Sequence, residues 1–360
     1  MIYFVFGTKA QIIKIAPVMV AFRQKRIDYR TIYTGQHRET VDELMSDFSL
    51  PRPDHTLYDG PDITRTFQVI PWAVRVMWNF FRMRKRIVAP GQGNIFLVHG
   101  DTLSTVLGAL MGRLTGNSVG HLESGLRSFR LFNPFPEELQ RLATFALSKV
   151  YFCPGQWALN NLRKYSGNKV DIKYNTLIDS LHLALSRDDV PVPEKPARPY
   201  CIVSIHRYEN ISRRASLIRV IQLIERAAER YVVVFILHPP TIAHLNKFNL
   251  MSRLRSNPGI ELRQRYSYVR FIKLLVGSEF IITDGGSNQE ESSYLGHPCL
   301  LMRSVTERIE GLKQNVVVSD FRQGTLDNFI SRYQEYRRPM GDMEYSPSAI
   351  VAEYVQQHYS

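Results

Sequence analysis

Two acidic residues lie at the ends of apolar stretches of this 360-residue sequence. Asp101 comes after the run Ile95 to Val98, and Glu123 ends the next short apolar stretch along the chain. Runs without polar alternation are typical of parallel strands that are covered on both faces. Because ligands of open α/β sheets bind beyond the carboxyl ends of the strands, we expect both carboxylates to face one crevice. The pair therefore predicts an active site.

The acids of this region also have a structural interpretation. Asp101 could cap the helix that follows it. Glu137 and Glu138 come after a proline and could simply occupy the first turn of the next helix, where acids are favourable. Two capped helices, however, do not require a loop that also carries Glu123 and Arg127. We therefore favour the functional interpretation.

Two glycine-containing turns lead from predicted strands into helices, and each predicts an anion-binding site. The first contains Gly7 and Lys9, and the second contains Gly285, Gly286 and Ser287. A helix N-terminus offers free backbone N–H groups and a favourable dipole. Neither turn is a P-loop or a dinucleotide fingerprint. Four cations could add charge around a bound diphosphate: Lys9, Lys14, Arg207 and Arg308.

Two histidines, His206 and His238, each follow a core strand of the second half directly. A single histidine in such a place is more often structural than catalytic. Two of them at equivalent positions favour a catalytic role.

Strands alternate with helices in both halves of the chain. This pattern predicts two Rossmann-like, doubly wound α/β domains that face each other across a cleft. The polar stretch 165–173 predicts the linker. We therefore place the N-terminal domain at 1–172 and the C-terminal domain at 173–346.

Composition limits the partners. The chain has 46 Lys plus Arg against 33 Asp plus Glu, a net charge of +13. This excess favours an anionic ligand, nucleic acid or an acidic membrane surface, but no nucleic-acid-binding module accompanies it, so we expect no nucleic acid partner. Three widely spaced cysteines suit a reducing compartment. The N-terminus has neither a basic leader nor a cleavage site, and we expect a cytoplasmic protein.

The stretch Ile70 to Val88 predicts a helix that ends in WNFFRMRKRIV. Its aromatic residues and cations could form a membrane-surface or partner-binding face. The alternative is a packed helix whose last turn carries cations that suit its dipole. We favour the packed helix.

Nine motifs occur in order from Gly7 to Gly311: GTKAQIIKIAP, TGQHRE, VHGDT, GHLESGLRS, PFPEE, IHRYEN, HPP, ITDGGSNQEE and TERIEG. Together they resemble the UDP-N-acetylglucosamine 2-epimerase family over most of the chain. The resemblance implies two Rossmann-like domains of the GT-B type, usually as a homodimer, with a UDP-sugar in the cleft between them. It also implies that a C-terminal helix, 347–358, packs back on the first domain. No nicotinamide, metal or other cofactor is implied.

The resemblance also implies roles for individual residues. It assigns catalytic roles to Asp101, Glu123, Glu137 and His206. It assigns the diphosphate and uridine pocket to Lys14, Arg207, His238, Phe271, Gly286 and Glu291. Further candidates for substrate binding are Lys9, Arg127, Gly285, Ser287 and Arg308. The chain departs from the family pattern where Lys9-Ala10-Gln11 replaces the usual Arg-Pro-Glu, and where Tyr208 replaces an arginine.

The activity implied is non-hydrolysing epimerisation at C2 of UDP-GlcNAc or a closely related UDP-2-acetamido sugar. The route is anti elimination of UDP and its re-addition through a 2-acetamidoglucal, and the product would supply cell-surface polysaccharide. One alternative is a hydrolysing epimerase that releases a ManNAc-type sugar plus UDP. Another is a GT-B glycosyltransferase or a non-catalytic UDP-sugar-binding relative, against which the three carboxylates argue.

Overall fold

The computed structural model describes residues 1–36, 41–63, 66–89, 93–131, 135–306, 308–341 and 344–359. The chain divides into two compact units. Unit 1 is Met1–Leu183 together with Met343–Ser360, and unit 2 is Ala184–Asp342. Within the described ranges, every helix is too short or too polar to span a lipid bilayer.

Each unit is built around one parallel β-sheet. Unit 1 has seven strands in the order β3-β2-β1-β4-β5-β6-β7, and unit 2 has six in the order β10-β9-β8-β11-β12-β13. The strands of unit 1 are β1 (Ile2–Phe6), β2 (Tyr29–Tyr33), β3 (His55–Thr56), β4 (Ile95–His99), β5 (Ser118–Leu122), β6 (Val150–Cys153) and β7 (Asn168–Asp171). Those of unit 2 are β8 (Tyr200–Ser204), β9 (Val232–Leu237), β10 (Ile260–Gln264), β11 (Ile281–Thr283), β12 (Cys299–Leu301) and β13 (Val316–Val318).

Helices connect the strands. The first seven helices along the chain are α1 (Lys9–Gln24), α2 (Val41–Asp47), α3 (Thr66–Ile87), α4 (Leu103–Leu114), α5 (Glu137–Leu147), α6 (Gln156–Asn161) and α7 (Leu177–Leu185). They are followed by α8 (Tyr208–Ile211), α9 (Arg214–Ala228), α10 (Pro239–Lys247), α11 (Met251–Arg255), α12 (Tyr268–Val276), α13 (Gly286–Leu295), α14 (Gln323–Arg332) and α15 (Pro347–Tyr359).

The predicted α/β class with doubly wound sheets is confirmed. In unit 1 the strand order reverses between β1 and β4, which are hydrogen-bonded neighbours. In unit 2 it reverses between β8 and β11. Such switch points leave a crevice at the carboxyl ends of the strands, where ligands of open α/β sheets bind. The candidate site residues therefore need to be sought at these strand ends.

The predicted linker at 165–173 is wrong. Residues Asn168–Asp171 form β7, which pairs with β6 as the edge of the unit 1 sheet. An edge strand is half-exposed and polar, so it lacks the apolar run that marks a central strand. The following helix α7 also packs on unit 1, because Ser180 Oγ donates to the carbonyl of Ile13 at 2.5 Å. Unit 1 accordingly extends to Leu183, beyond the predicted boundary at residue 172.

The C-terminal helix α15 belongs to unit 1. Lys25 at the end of α1 forms an ion pair with Glu353, with Nζ 3.1 Å from Oε1. The backbone N–H of Ser348 donates to Asp179 Oδ2 at 2.7 Å. These contacts attach the last helix to elements that are far from it in sequence.

Candidate active site

Glu123 follows β5 directly and is almost fully buried. Its Oε1 accepts from Lys14 Nζ at 2.5 Å and from Asn175 Nδ2 at 2.6 Å. Its Oε2 lies 3.6 Å from His99 Nε2. The backbone φ of Glu123 is +60°, a left-handed conformation that costs a residue with a side chain roughly 1–2 kcal/mol. The fold thus holds this carboxylate in one position by a cation, an amide and an unusual backbone turn.

Asp101 lies at the end of the neighbouring strand β4, after Gly100. Its Oδ2 accepts from Arg141 Nη2 at 2.5 Å, and 29% of its side-chain surface is exposed. Thr102, not Asp101, caps α4, since the Thr102 side chain accepts from the N–H of Thr105. The capping interpretation of Asp101 is therefore wrong, and its carboxylate is paired with a cation while remaining accessible to solvent.

Glu138 is completely buried between two arginines. It accepts from Arg127 Nε at 2.5 Å, from the N–H of Ser128 at 3.0 Å and from Arg141 Nη1 at 3.3 Å. Burial alone would raise the pKa of Glu138, but the Ser128 amide and the two guanidinium groups outweigh it and hold the pKa below its ordinary value. Arg127 also lies over the ring of Phe129, at 4.8 Å from its centroid. Arg127, predicted to bind substrate, is thus already ion-paired.

Glu137 is the first residue of α5, so both adjacent acids lie in the first helical turn as the structural interpretation supposed. Glu137 is half-buried, and its Oε2 is buried without a hydrogen-bond partner among the described residues. Its neighbour Glu138 has three donors. The two adjacent glutamates therefore have different environments.

His121 connects the ends of β4 and β5. Its Nε2 lies 2.8 Å from the carbonyl of Gly100 and its Nδ1 lies 3.0 Å from Ser124 Oγ. Because a carbonyl can only accept, Nε2 carries the hydrogen and Ser124 donates to Nδ1. Complete burial lowers the pKa of His121 to about 4, so the ring stays neutral near pH 7. Through its hydrogen bond to the Gly100 carbonyl, His121 fixes the turn that immediately precedes Asp101.

The amides of the first glycine turn are already bonded within the chain. The N–H groups of Gly7 and Thr8 donate to Gln11 Oε1 at 2.9 and 3.1 Å, and Thr8 caps α1 in a capping box with Gln11. Gln11 Nε2 donates in turn to the carbonyl of His99 at 2.9 Å. Three amides that an anion could have bound, those of Gly7, Thr8 and Gln11, are therefore bonded within the chain, and the anion site at this turn stays a prediction. Lys9 is the first residue of α1, and its side chain is half-buried.

In unit 2, Asp284 organises the loop after β8. This fully buried carboxylate follows β11, and it accepts from the N–H groups of His206 and Arg207 at 3.1 and 2.9 Å. It also accepts from Asn210 Nδ2 at 2.9 Å. The carboxyl ends of two adjacent strands are joined in this way, and the side chains of His206 and Arg207 are left partly exposed.

His206 and His238 lie side by side at this end of the unit 2 sheet. Their ring centroids are 4.5 Å apart, and His238 Nε2 lies 3.1 Å from Ser204 Oγ. Burial lowers the pKa of His206, and the nearby Arg207 acts in the same direction, while Asp284 opposes them. The two histidines that follow core strands therefore lie together at one end of this sheet, and their catalytic role stays a prediction.

The second glycine turn opens a helix as predicted. Helix α13 begins at Gly286, and its N-cap Gly285 supplies no side-chain cap. The ideal Cβ of a residue at position 285 would lie 3.5 Å from His206 Cε1, so this turn is next to the histidine pair. Ser287 is exposed, whereas Glu291 is buried and accepts from Asn288 Nδ2 at 2.8 Å. An uncapped N-terminus beside partly exposed histidine and arginine side chains suits a phosphate group.

Two further candidates lie on the elements around α13. Arg308 Nη1 lies 2.6 Å from Oε2 of Glu290, which is fully buried. Phe271 is half-buried on α12. Tyr208, at the family's arginine position, is 75% exposed.

Sequence reasoning missed four residues that hold the predicted ones in place, and it noted Glu138 without giving it this role: the four are His99, Arg141, Asn175 and Asp284. The spacing of Glu138 and Arg141 by three positions on one helix was a usable signal. His99 and Asp284 each end a strand and could have been found in that way. Asn175 is far from Glu123 in sequence and carries no such signal.

Parts of three motifs lie outside the described residues: His37 to Glu39 of TGQHRE, Pro134 of PFPEE and Glu307 of TERIEG. Among the residues that are described, no three His, Cys, Asp or Glu side chains are grouped as metal ligands.

A family model described as UDP-N-acetylglucosamine 2-epimerase matches residues 21–344. The chain belongs to the UDP-N-acetylglucosamine 2-epimerase family. The curated UDP-N-acetylglucosamine 2-epimerase of Methanocaldococcus jannaschii is 29% identical over 356 residues, which cover 94% of each chain. The resemblance found from the motifs is thereby confirmed.

Solved structures of the UDP-N-acetylglucosamine 2-epimerase family share the fold. The enzyme from Neisseria meningitidis, bound to UDP-GlcNAc, is 25% identical and covers 99% of each chain with a TM-score of 0.82. The enzyme from M. jannaschii, in complex with UDP-GlcNAc and UDP, is also 25% identical over 99% of each chain, with a TM-score of 0.80.

Proposed function

We propose that the protein is a non-hydrolysing epimerase that inverts C2 of UDP-GlcNAc or of a closely related UDP-2-acetamido sugar. Family membership and the UDP-GlcNAc-bound relatives support the substrate class. One observation carries the reaction type. Asp101 and Glu123 end the adjacent strands β4 and β5, and each is held by its own cation, Arg141 or Lys14. Inversion at one carbon needs two such acid/base groups.

The order of bond breaking follows from the substrate's chemistry. The C2 proton of a 2-acetamido sugar has no adjacent carbonyl, so its direct removal is difficult. When the bond from C1 to the UDP oxygen breaks first, positive character at C1 makes the C2 proton acidic. Loss of that proton gives a 2-acetamidoglucal, and re-addition of a proton and UDP gives the other epimer. Carboxylates stabilise the cationic species, while dipoles and cations stabilise the departing diphosphate.

We assign the proton transfers to Asp101, Glu123 and Glu137. The accessible carboxylate of Asp101 and the partnerless Oε2 of Glu137 support their assignment. The three donors on Glu138 support a structural role for that residue.

We assign the UDP moiety to unit 2. The uncapped N-terminus of α13 would hold a phosphate, and the two strand-end histidines would contact the leaving diphosphate. The residues assigned to UDP are Arg207, His238, Phe271, Gly285, Gly286, Ser287, Glu291 and Arg308, with His206 as the catalytic group of this unit. The remaining candidates for substrate binding, Lys9, Lys14 and Arg127, belong to unit 1. Of these, Lys14 would act through its contact with Glu123.

We further propose that the enzyme works as a cytoplasmic homodimer and needs no cofactor. Its product, a UDP-sugar of manno configuration, would be a donor for cell-surface polysaccharide. Family membership supports these assignments.

The test is phosphorus NMR of the purified protein with UDP-GlcNAc. We expect the diphosphate signals of a second UDP-sugar to grow until the two epimers reach equilibrium. Accumulation of free UDP with a free ManNAc-type sugar would instead establish the hydrolysing variant, the second candidate, which the departure at Lys9-Ala10-Gln11 favours. UDP-sugar binding without turnover, for UDP-GlcNAc and for modified UDP-sugars, would favour a transferase or a non-catalytic relative.

A further inference from the structure

The side-chain amide of Asn175 makes one hydrogen bond with each of its ends. Its Nδ2 donates to Glu123 Oε1 at 2.6 Å, and its Oδ1 accepts from the N–H of Leu177 at 3.1 Å. Because a backbone N–H can only donate, the second bond fixes which end of the amide is the oxygen. The NH2 end is therefore directed at the carboxylate. Asn175 is 3% exposed, so both bonds are shielded from bulk water.

The segment that carries Asn175 is attached to the helix that carries Lys14. Thr176 Oγ1 donates to the carbonyl of Lys14 at 2.5 Å, and Ser180 Oγ donates to the carbonyl of Ile13 at 2.5 Å. The start of α7 is thus joined to α1 by two buried hydrogen bonds. The position of the Asn175 amide is therefore set by contacts that do not involve Glu123.

The two oxygens of Glu123 have different surroundings. Oε1 accepts from both Lys14 and Asn175. A proton added to Oε1 would compete with these two donors for the lone pairs of that atom, so Oε2 is the better place for it. Oε2 lies 3.6 Å from His99 Nε2, and the ideal Cβ of a residue at position 100 would approach it to 3.3 Å. Gly100 thus leaves open the space beside Oε2.

We propose that Asn175 is a positioning residue for proton transfer at Glu123, and that Oε2 carries the proton. This inference rests on the proposed function, in which Glu123 is one of the acid/base groups. When Glu123 acts as the base, the Oε2–H bond forms as the C2–H bond breaks, and the C–H electron pair becomes the double bond of the 2-acetamidoglucal. When it acts as the acid, Oε2 gives its proton to C2 and the alkene electron pair forms the C–H bond. The Asn175 amide favours the ionised carboxylate, because it donates to that form.

Charged and titratable groups face Glu123 from several elements of unit 1. Lys14 on α1 is its ion-pair partner, and His99 at the end of β4 faces its Oε2. Arg141 on α5 and His121 on β5 also interact with it electrostatically. A substitution at position 175 alters none of these groups. A change in the titration of Glu123 in such a variant therefore reports on the amide.

Two substitutions at Asn175 test the proposal. Asn175→Asp keeps an acceptor for the N–H of Leu177 and replaces the donor by a second carboxylate beside Glu123. The limb of the pH profile of kcat that reports Glu123 should move to higher pH by about one unit or more, with a smaller change in KM. This is the acid limb if Glu123 is the base and the alkaline limb if it is the acid. Asn175→Ser keeps a hydroxyl suited to the start of α7 but is too short to replace the bond to Glu123, and it should slow turnover by about tenfold.

Ser180→Ala is the matched control. It removes another buried hydrogen bond between α7 and α1, from a side chain that is not bonded to Glu123. This variant should lower the unfolding temperature without moving either limb of the pH profile. If Asn175→Asp also lowers only the unfolding temperature and leaves both limbs in place, Asn175 has a purely structural role and the proposal is overturned.

Carbon-13 NMR of glutamate-labelled protein gives a readout that does not need turnover. The carboxyl signal of Glu123 is identified by its absence in Glu123→Gln. In Asn175→Asp this signal should begin to titrate at a pH about one unit or more above that in the unmutated protein. An unchanged titration would overturn the proposal. A shifted titration in a protein that turns over no UDP-sugar would refute the proposed function alone, and would still support the positioning of the Glu123 carboxylate by Asn175.

Discussion

Lys14 Nζ lies 2.5 Å from Glu123 Oε1, and both side chains are less than 10% exposed. The contact joins the first helix of unit 1 to the carboxyl end of β5. A buried charge that loses its partner is expensive, whereas loss of both charges together is much less so. The pair therefore has a structural role that can be separated from any role in catalysis.

We expect Glu123→Gln to lower the free energy of unfolding by about 3 kcal/mol, because Lys14 loses its carboxylate partner. Lys14→Met combined with Glu123→Gln should cost clearly less than the sum of the two single changes. Urea unfolding of the four proteins gives the coupling energy. Additive costs would show that the ion pair does not stabilise the fold.

Glu137 and Glu138 form a matched pair of adjacent glutamates. Glu138→Gln should destabilise unit 1 by about 3 kcal/mol, because two arginines and a backbone amide lose their charged acceptor. Glu137→Gln should leave stability within about 1 kcal/mol and reduce turnover at least about 100-fold. Thermal unfolding and initial rates distinguish the two. Equal loss of stability in both variants would contradict the assignment.

The buried His121 makes stability depend on pH. The unfolded chain protonates this ring at its ordinary pKa of 6.5, whereas burial lowers the pKa in the folded state to about 4. Its stabilising contribution is complete above pH 6.5, is lost as pH falls toward 4 and is constant below that. The change corresponds to about 3 kcal/mol.

His121→Gln keeps a donor for the Gly100 carbonyl but does not titrate. The variant should be less stable than the unmutated protein at pH 7, and the difference should shrink steadily between pH 6.5 and 4. Urea unfolding across this range provides the measurement. A difference that does not change with pH would mean that His121 is not held neutral in the folded protein.

Asp284→Asn should weaken UDP binding by about tenfold, or about 1.4 kcal/mol. In either orientation, the NH2 group of the new amide would lie against the N–H of His206, and the loop that carries both side chains would shift. Calorimetry with UDP measures the effect. Glu229→Gln, which changes an exposed acid at the end of α9, serves as the control and should bind UDP normally. Unchanged affinity in Asp284→Asn would exclude a positioning role for this carboxylate.

The fold class and the strand-end carboxylates could be predicted because both follow from local patterns. Buried parallel strands are continuous apolar runs, and Asp101 and Glu123 lie just beyond the ends of two of them. At the first glycine turn the sequence contains a second signal. Thr8 and Gln11 are three residues apart and form a capping box, which uses some of the donors that an anion could bind.

Other features required the three-dimensional structure. Adjacent residues such as Glu137 and Glu138 point in different directions, and only the packing of α5 decides which one is buried. The contact between Asn175 and Glu123 joins residues that are distant in sequence. Strand β7 lies at a sheet edge, where a polar sequence is tolerated, and such a sequence predicts a linker as readily as a strand.

Proton NMR of UDP-GlcNAc turnover in heavy water tests the central claim. This claim is that protein side chains remove the C2 proton and deliver a new one to the same carbon. The account predicts that solvent deuterium enters C2 of both UDP-sugar epimers and that UDP remains attached to the sugar. Asp101→Asn should slow this exchange by at least about 100-fold. Formation of the second epimer with the original proton still at C2 would contradict the account, because no proton transfer to a carboxylate would then have occurred.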